Sequence, residues 1–526
     1  MNHMKIEEHG FWFLPGNLEK QLFGKLTFSL NEHPQLSLSG QLEKLTPEQK
    51  LDGVKFDIIN GYLTSDKKVT LLNCYQKGKY KTGIQTSEIT AQYLLIGYHF
   101  KSPDEISLQG VSVKYKNFES WIDKPGFEIA WSTNQENTSV KEINVKKTIP
   151  DPITLGSLLG FSLILVDKTV NLQQLQLEAV FQGKPEKIIL EDKKALVIKS
   201  EEKKSLDEII EVIYLFQDLL VFASGQITYP YEVNSYMVVK EQEFTLPKDV
   251  EYDLMRGVIE PDKTTISDSG IEIQQFDDQI KITEEEKEKP IRLSIYFKAS
   301  RLDNLELKFD SRSVLFEFRD IEAHLEKILE LWEEHSQKLE PIIDLYLRLI
   351  YIPEHHINSY FLNLAQAIEA FHNRSYSGRY LPKSVYKHYV RKPLEEAIKL
   401  IPCFTDADSE HKQIDLRKYK KILKEEKLSH LNSYSLRDRL EEIIKEHIDC
   451  LPDHFFISSE DRDKFLKQLR KTRNYLTHLS DNKNDVAEGK ELRRLCIRLK
   501  VVLEVCLLKK LGLEETQIKK IISRNR

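Results

Sequence analysis

Cysteine is scarce: Cys74, Cys403, Cys450, Cys496 and Cys506 form no CxxC pair and make an odd total. A disulfide framework or a structural zinc site is therefore not expected, and a reducing, cytoplasmic setting is. No stretch approaches the roughly 20 consecutive apolar residues of a membrane-spanning helix. The opening MNHMKIEEHG also lacks the charged-then-apolar order of a secretory signal. No Gly-rich phosphate loop occurs, which argues against an NTPase or a dehydrogenase. Glu354, His355 and His356 look like metal ligands, but adjacent histidines point apart on a helix. No metal and no cofactor are expected. Internal repeats and low-complexity tracts are absent too.

What is present is a long charged chain, 526 residues with 40% hydrophobic and 30% charged, enough for two or three cored domains. The net charge of −6 is unevenly spread. From Leu451 to Arg526 there are 18 Lys and Arg against 11 Asp and Glu, a balance of +7, which leaves −13 for the remainder. That asymmetry points to a C-terminal end that faces phosphate, or to a solvated helical surface.

Residues 1–318 read as strands. Short alternating runs such as Phe11–Leu14, Leu26–Leu30, Leu36–Leu42, Val54–Ile59, Val69–Cys74 and Tyr93–Phe100 are closely spaced, with Gly, Pro, Asn and Asp between them. That spacing predicts antiparallel sheets in a sandwich or barrel. Strand signals continue at Leu175–Phe181 and Ile188–Leu190. One helix interrupts, Leu206 to Phe222, with Ser205 and Glu208 as a capping box; a break into two lobes near 200–225 is allowed. The polar segments 264–270 and 284–289 read as surface loops.

From residue 319 to 526 the period is helical, giving an α+β multidomain chain with an all-α second half. Stripes run through Ile321, Leu325, Ile328 and Trp332, and through Phe361, Leu364, Ala365, Ile368 and His372. A Lys-rich, less regular region follows at 382–427. Within 461–479, Phe465, Leu469, Thr472, Leu476 and Leu479 mark one buried face. Lys467, Lys471, Asn474 and His478 project from the other, with Arg473 on the flank. Histidine and asparagine one turn apart among lysines are equipped to meet an anion. With four to six intervening residues allowed, the arginine–histidine pairing recurs at Arg319–His324 and Arg348–His355. However, His324 is about 60° from Ile321 and reads as half-buried, and Pro353 separates the other pair.

RNYLTH at 473–478 resembles the R-[N/D/H]-x-x-x-H motif of HEPN domains, and the likeness extends to ApeA-type proteins. It is carried by GFWFLPG at 10–16, Gly24-Lys25-Leu26, Leu36–Leu42 with Gly40, and Gly61 before Val69-Thr70-Leu71. Phe118 before Trp121, Trp332, and FLNLAQAIEAFH at 361–372 complete it. The resemblance implies an ApeA-type β-rich sensing or regulatory region at 1–318 and a HEPN helical bundle at 319–526. Together they would make a bacterial anti-phage abortive-infection protein whose HEPN half is a metal-independent endoribonuclease acting on cellular RNA, tRNA among the candidates. It also implies a homodimer through the HEPN half and a phage-derived trigger at the N-terminal half.

His478 suits proton transfer because an imidazole titrates near ~6.5. Arg473 suits the phosphate oxygens, and Asn474 suits orientation by hydrogen bonding. Glu369 is placed to orient Arg473, or is a plain surface carboxylate. Lys467, Arg470 and Lys471 supply non-specific attraction to RNA. On a straight helix Arg473 and His478 point about 140° apart. Either two copies pair to complete the site, or the helix ends or bends near Thr477. Two alternatives stand beside this reading. One is a non-catalytic HEPN dimerisation scaffold with a β-rich module for protein or carbohydrate; the other is a HEPN toxin held by an antitoxin.

Overall fold

Twelve antiparallel strands form one continuous sheet in the first part of the chain, and six of them close on themselves. The structure, a computed structural model, describes residues 5–43, 52–77, 86–124, 127–133, 140–147, 151–167, 177–178, 187–188, 193–245, 263–267, 270–275, 283–299, 309–352, 356–407, 412–478 and 484–524. Two compact units result, Met1–Glu330 and Leu331–Arg526.

In the first unit the strands are β1 (Lys5–Phe13), β2 (Leu22–Ser29), β3 (Gln35–Ser39), β4 (Val54–Leu63), β5 (Lys68–Gln76) and β6 (Thr86–Ile96). They continue as β7 (Ser107–Tyr115), β8 (Ile153–Leu158), β9 (Phe161–Asp167), β10 (Lys194–Ser205), β11 (Pro230–Thr245) and β12 (Thr283–Phe297). The order across the sheet is β8-β9-β10-β7-β11-β12-β6-β3-β2-β1-β4-β5, and β5 pairs back onto β6. Strands β1 to β6 thus make a closed barrel, which removes the unpaired edges of that half. Alternation fills its interior: Leu26, Phe28, Leu36, Leu38, Ile89 and Ala91 are buried. Trp12 is fully buried against Gly61, its register partner, where a Cβ would fall 2.4 Å from the indole ring. Only glycine admits that ring.

Helix α1 (Leu206–Ser224) begins with the expected capping box. Ser205 Oγ accepts from Glu208 N at 3.3 Å, and Glu208 accepts from Ser205 N at 2.9 Å. The helix is buried almost all round. Tyr93 of β6 donates to Asp207 at its first turn, 2.8 Å, and Tyr115 of β7 donates to Ile213 O at 2.9 Å.

After β12 the first α-helical turn among the described residues is Phe318–Ile321, next to the expected change at residue 319, but this turn packs within the first unit. Trp121 Nε1 donates to Phe316 O at 2.9 Å, its ring meets Phe318 at 5.6 Å, and Leu315 N bonds Ala223 O at 2.9 Å. Helix α2 (Leu325–Lys338) runs across the division between the units.

Some expectations are corrected. Two segments read as loops carry strand instead: Lys263–Ser267 pairs with Gly270–Gln275, so 264–267 and Gly270 are strand while 268–269 lie outside the described residues, and 284–289 lies in β12 along β11. A ladder is held by backbone groups, so a charged sequence pairs as well as an apolar one. His324 is exposed, not half-buried, because a 3₁₀ turn at Glu322–His324 breaks the helical phase from Ile321. The strand signals at 175–181 and 188–190 lie mostly outside the described residues. So do Glu354, His355 and Leu479.

In the second unit, α3 (Glu340–Tyr351), α4 (Ile357–Ser375), α5 (Leu436–Glu446), α6 (Ser459–His478), α7 (Gly489–Lys510) and α8 (Glu515–Arg524) form a bundle. Helix α4 packs against α3, α5, α6 and α7. It buries Phe361, Leu364, Ala365, Ile368 and His372 of the stripe read from the sequence and adds Ala367 and Phe371, whereas Ile357, read on the same stripe, is half-buried in the first turn. Helix α7 is buried on most sides and serves as the core helix. Among the described residues no helix is long and apolar enough to cross a membrane.

Candidate active site

The anion-facing helix forms as its sequence dictates. Ser458 Oγ accepts from Asp461 N at 3.3 Å, and Asp461 accepts from Ile457 N at 3.3 Å, so both residues cap donors at the start of the helix. Glu460 and Asp461 complement the positive end of the helix dipole. Phe465, Leu466, Leu469 and Thr472 are buried, whereas Lys467, Arg470, Asn474 and His478 are exposed. Arg473 and Lys471 lie between these extremes. The helix stays continuous through Thr477, whose hydroxyl donates back to Arg473 O at 2.8 Å. No bend is seen within the helix, which ends at His478, next to the place the sequence allowed for an end, and Arg473 and His478 leave it on different sides.

Arg473 is held from a second helix. Its Nη2 lies 3.2 Å and 3.5 Å from the two carboxylate oxygens of Glu369 on α4. The pair is partly shielded, with side chains 32% and 25% exposed. This fixes one end of the guanidinium and leaves its other N–H groups for a ligand. Asn474 and His478 face solvent beyond it.

The lysines are less free than their exposure implies. Lys467 and Lys471 both pair with Asp485, at 3.1 and 2.5 Å, and these contacts, Lys471 first, hold its carboxyl below the usual range. Asp485 sits at φ 62° on the returning segment, and Ala487 N donates to the buried Thr472 hydroxyl at 2.9 Å. Neither Asp485 nor this tether was read from the sequence. Both join residues across a chain reversal, which no periodicity records.

Behind Glu369, one turn along α4, His372 is fully buried. Its Nε2 is 2.6 Å from Glu442 and its Nδ1 is 3.0 Å from Arg439 Nη1. A guanidinium only donates, so Nδ1 accepts and Nε2–H donates to Glu442; the ring is neutral. Burial, outweighing the Glu442 hydrogen bond, lowers its pKa accordingly.

Residues 7–269, half of the chain, match ApeA N-terminal domain 1, and residues 362–517 match the Apea-like HEPN domain. The chain belongs to the ApeA family. Its HEPN match spans α4 to α8, so Glu369, Arg473, Asn474 and His478 all lie within it. The two domains together point to an anti-phage HEPN protein. HEPN domains commonly dimerise and act on RNA, generally as ribonucleases. No curated protein and no solved structure matches the chain.

Proposed function

We propose that this ApeA-family protein is a metal-independent endoribonuclease that defends bacteria against phage by cutting cellular RNA, tRNA among the candidates. The observation that carries the reading is Arg473 braced by Glu369 on the same helix that exposes Asn474 and His478.

RNA supplies its own nucleophile. A neutral His478 imidazole takes the 2′-OH proton as that oxygen bonds to phosphorus. Charge on the phosphorane oxygens falls to Arg473, oriented by Glu369, while Asn474 positions the phosphate. The P–O5′ bond breaks and the departing oxygen receives a proton from an imidazolium. The products are a 2′,3′-cyclic phosphate and a 5′-OH, and DNA is left uncut. Because Arg473 and His478 diverge on a continuous helix, the site is completed by a second copy across a two-fold axis. The β-rich unit senses a phage-derived trigger or restrains the nuclease. Purified protein incubated with RNA and a chelator should cut it. A protein that needs an added divalent ion, or cuts DNA equally, contradicts the proposal.

A second reading, a non-catalytic HEPN scaffold with a β-rich binding module, is favoured by one feature. On the barrel exterior His9 stacks on Phe23 at 5.3 Å, beside an exposed Phe11, a platform suited to a protein or a sugar face. Under it, Arg473→Ala and His478→Ala both leave phage protection intact.

A further inference from the structure

The Lys-rich region between α4 and α5 leaves the bundle as an arm. Helical stretches 383–400 and 417–430 are joined through a two-stranded hairpin, Phe404–Ala407 with Lys412–Asp415. At its root Tyr380 N donates to Asn432 O at 3.1 Å, and the Asn432 side chain bonds Leu381 in both directions at 2.8 Å. Tyr386 and Leu428, joined through the Tyr386 hydroxyl, are the buried residues of the two stretches; every other position is half-buried or exposed.

So thin a core does not explain the arm's composition. Stretch 383–400 carries five Lys and Arg against two Glu, and 417–430 carries six against two. Lys383, Lys387, Lys392, Lys418 and Lys427 enter no ion pair among the described residues. Tyr389 and Tyr419 are 72% and 55% exposed. Each stretch also contains a π-helical turn, Tyr386–Arg391 and Leu423–Lys427, a feature that recurs at functional sites.

We propose that this arm is the docking surface for RNA, its lysines lying on phosphates and Tyr389 and Tyr419 stacking on unpaired bases. Lysine is depleted from protein–protein interfaces, whereas basic surfaces interleaved with aromatic rings suit single-stranded RNA. The arm follows α4, whose last residue, Ser375, lies six residues beyond Glu369, about 9 Å along the helix, and five before the root at Tyr380. It therefore feeds the site of the ribonuclease reading, on which its purpose rests.

The test uses the full-length His478→Ala protein, so that cleavage does not consume the probe. The probe is a fluorescein-labelled single-stranded RNA of about 20 nucleotides, long enough to span a full ssRNA site. Binding is followed by anisotropy between about 50 and 200 mM salt. Adding Lys383→Ala, Lys387→Ala and Lys392→Ala should weaken binding at least about tenfold and lower the log–log salt slope by about 2. Tyr389→Ala, at an exposed position that the fold does not need, should weaken it about tenfold with the slope unchanged. Absence of binding, or affinity and slope unchanged in these variants, overturns the proposal. Intact binding with loss of the dimer overturns it too, by making the arm a contact between copies. Binding by a wild-type protein that fails to cut would remove the ribonuclease reading and leave the arm.

Discussion

Arg473 would swing freely on a helix flank without its brace, because the long side chain has many rotamers to lose. Glu369 narrows that choice across 104 residues of chain. Glu369→Gln keeps the shape and removes the charge, and should lower kcat for RNA cleavage about tenfold with KM nearly constant, the size of one charge-assisted hydrogen bond. An unchanged kcat would make Glu369 a bystander. The neighbouring His372 has a different consequence. Burial lowers its pKa and those of His335 and His447 in the same unit. The unfolded chain therefore binds more protons than the folded one below the ordinary value near ~6.5. Their contribution is complete above that pH and is lost as pH falls through the lowered folded values. Thermal melts should show Tm dropping from pH 7 toward 5, and His372→Phe should flatten the drop. A Tm that rises on acidification contradicts the neutral tautomer assigned from Arg439.

Helix α6 is useful only if its start is anchored. Arg498 of α7 meets the rings of Phe455, Phe456 and Phe465 at 4.7–5.4 Å and bonds both oxygens of Asp461, at 2.7 and 3.2 Å. Arg498→Ala should cost about 2 kcal/mol in urea unfolding, the scale of a partly desolvated cation–π contact with a charged hydrogen bond. A change under about 0.5 kcal/mol, the surface-substitution range, would mean the anchor is idle. At this scale the sequence was informative where information is local. The helix 459–478 and the burial of Phe465, Leu469 and Thr472 follow from the 3.6 period, although Leu476, read on the same face, is half-buried in the last turn; the α1 capping box follows from Ser205 and Glu208. Barrel closure was not legible in detail, since it needs β6 to pair with both β3 and β5, contacts set by packing rather than by pattern. His324 was misplaced for a similar reason: a single 3₁₀ turn shifts the phase that the periodicity assumes. The Asp485 neutralisation of Lys467 and Lys471 lay beyond any periodic reading.

At the scale of the whole molecule, the divergence of Arg473 and His478 on one continuous helix makes a paired assembly the natural arrangement. Sedimentation should give twice the chain mass. Co-expressed Arg473→Ala and His478→Ala chains, each inactive alone, should recover about a quarter of wild-type cleavage, because half the dimers keep one intact pair under two-fold symmetry. Recovery of nothing would place each site within one chain.

The central claim is that the His478 imidazole moves the proton in a metal-free attack by the 2′-OH. It is tested most directly by end-group analysis of RNA incubated in chelator with wild-type and His478→Ala protein. The account predicts 2′,3′-cyclic phosphate and 5′-OH ends from the wild type and intact RNA from a folded variant. Equal cleavage by the variant, or 3′-OH ends from the wild type, would contradict it.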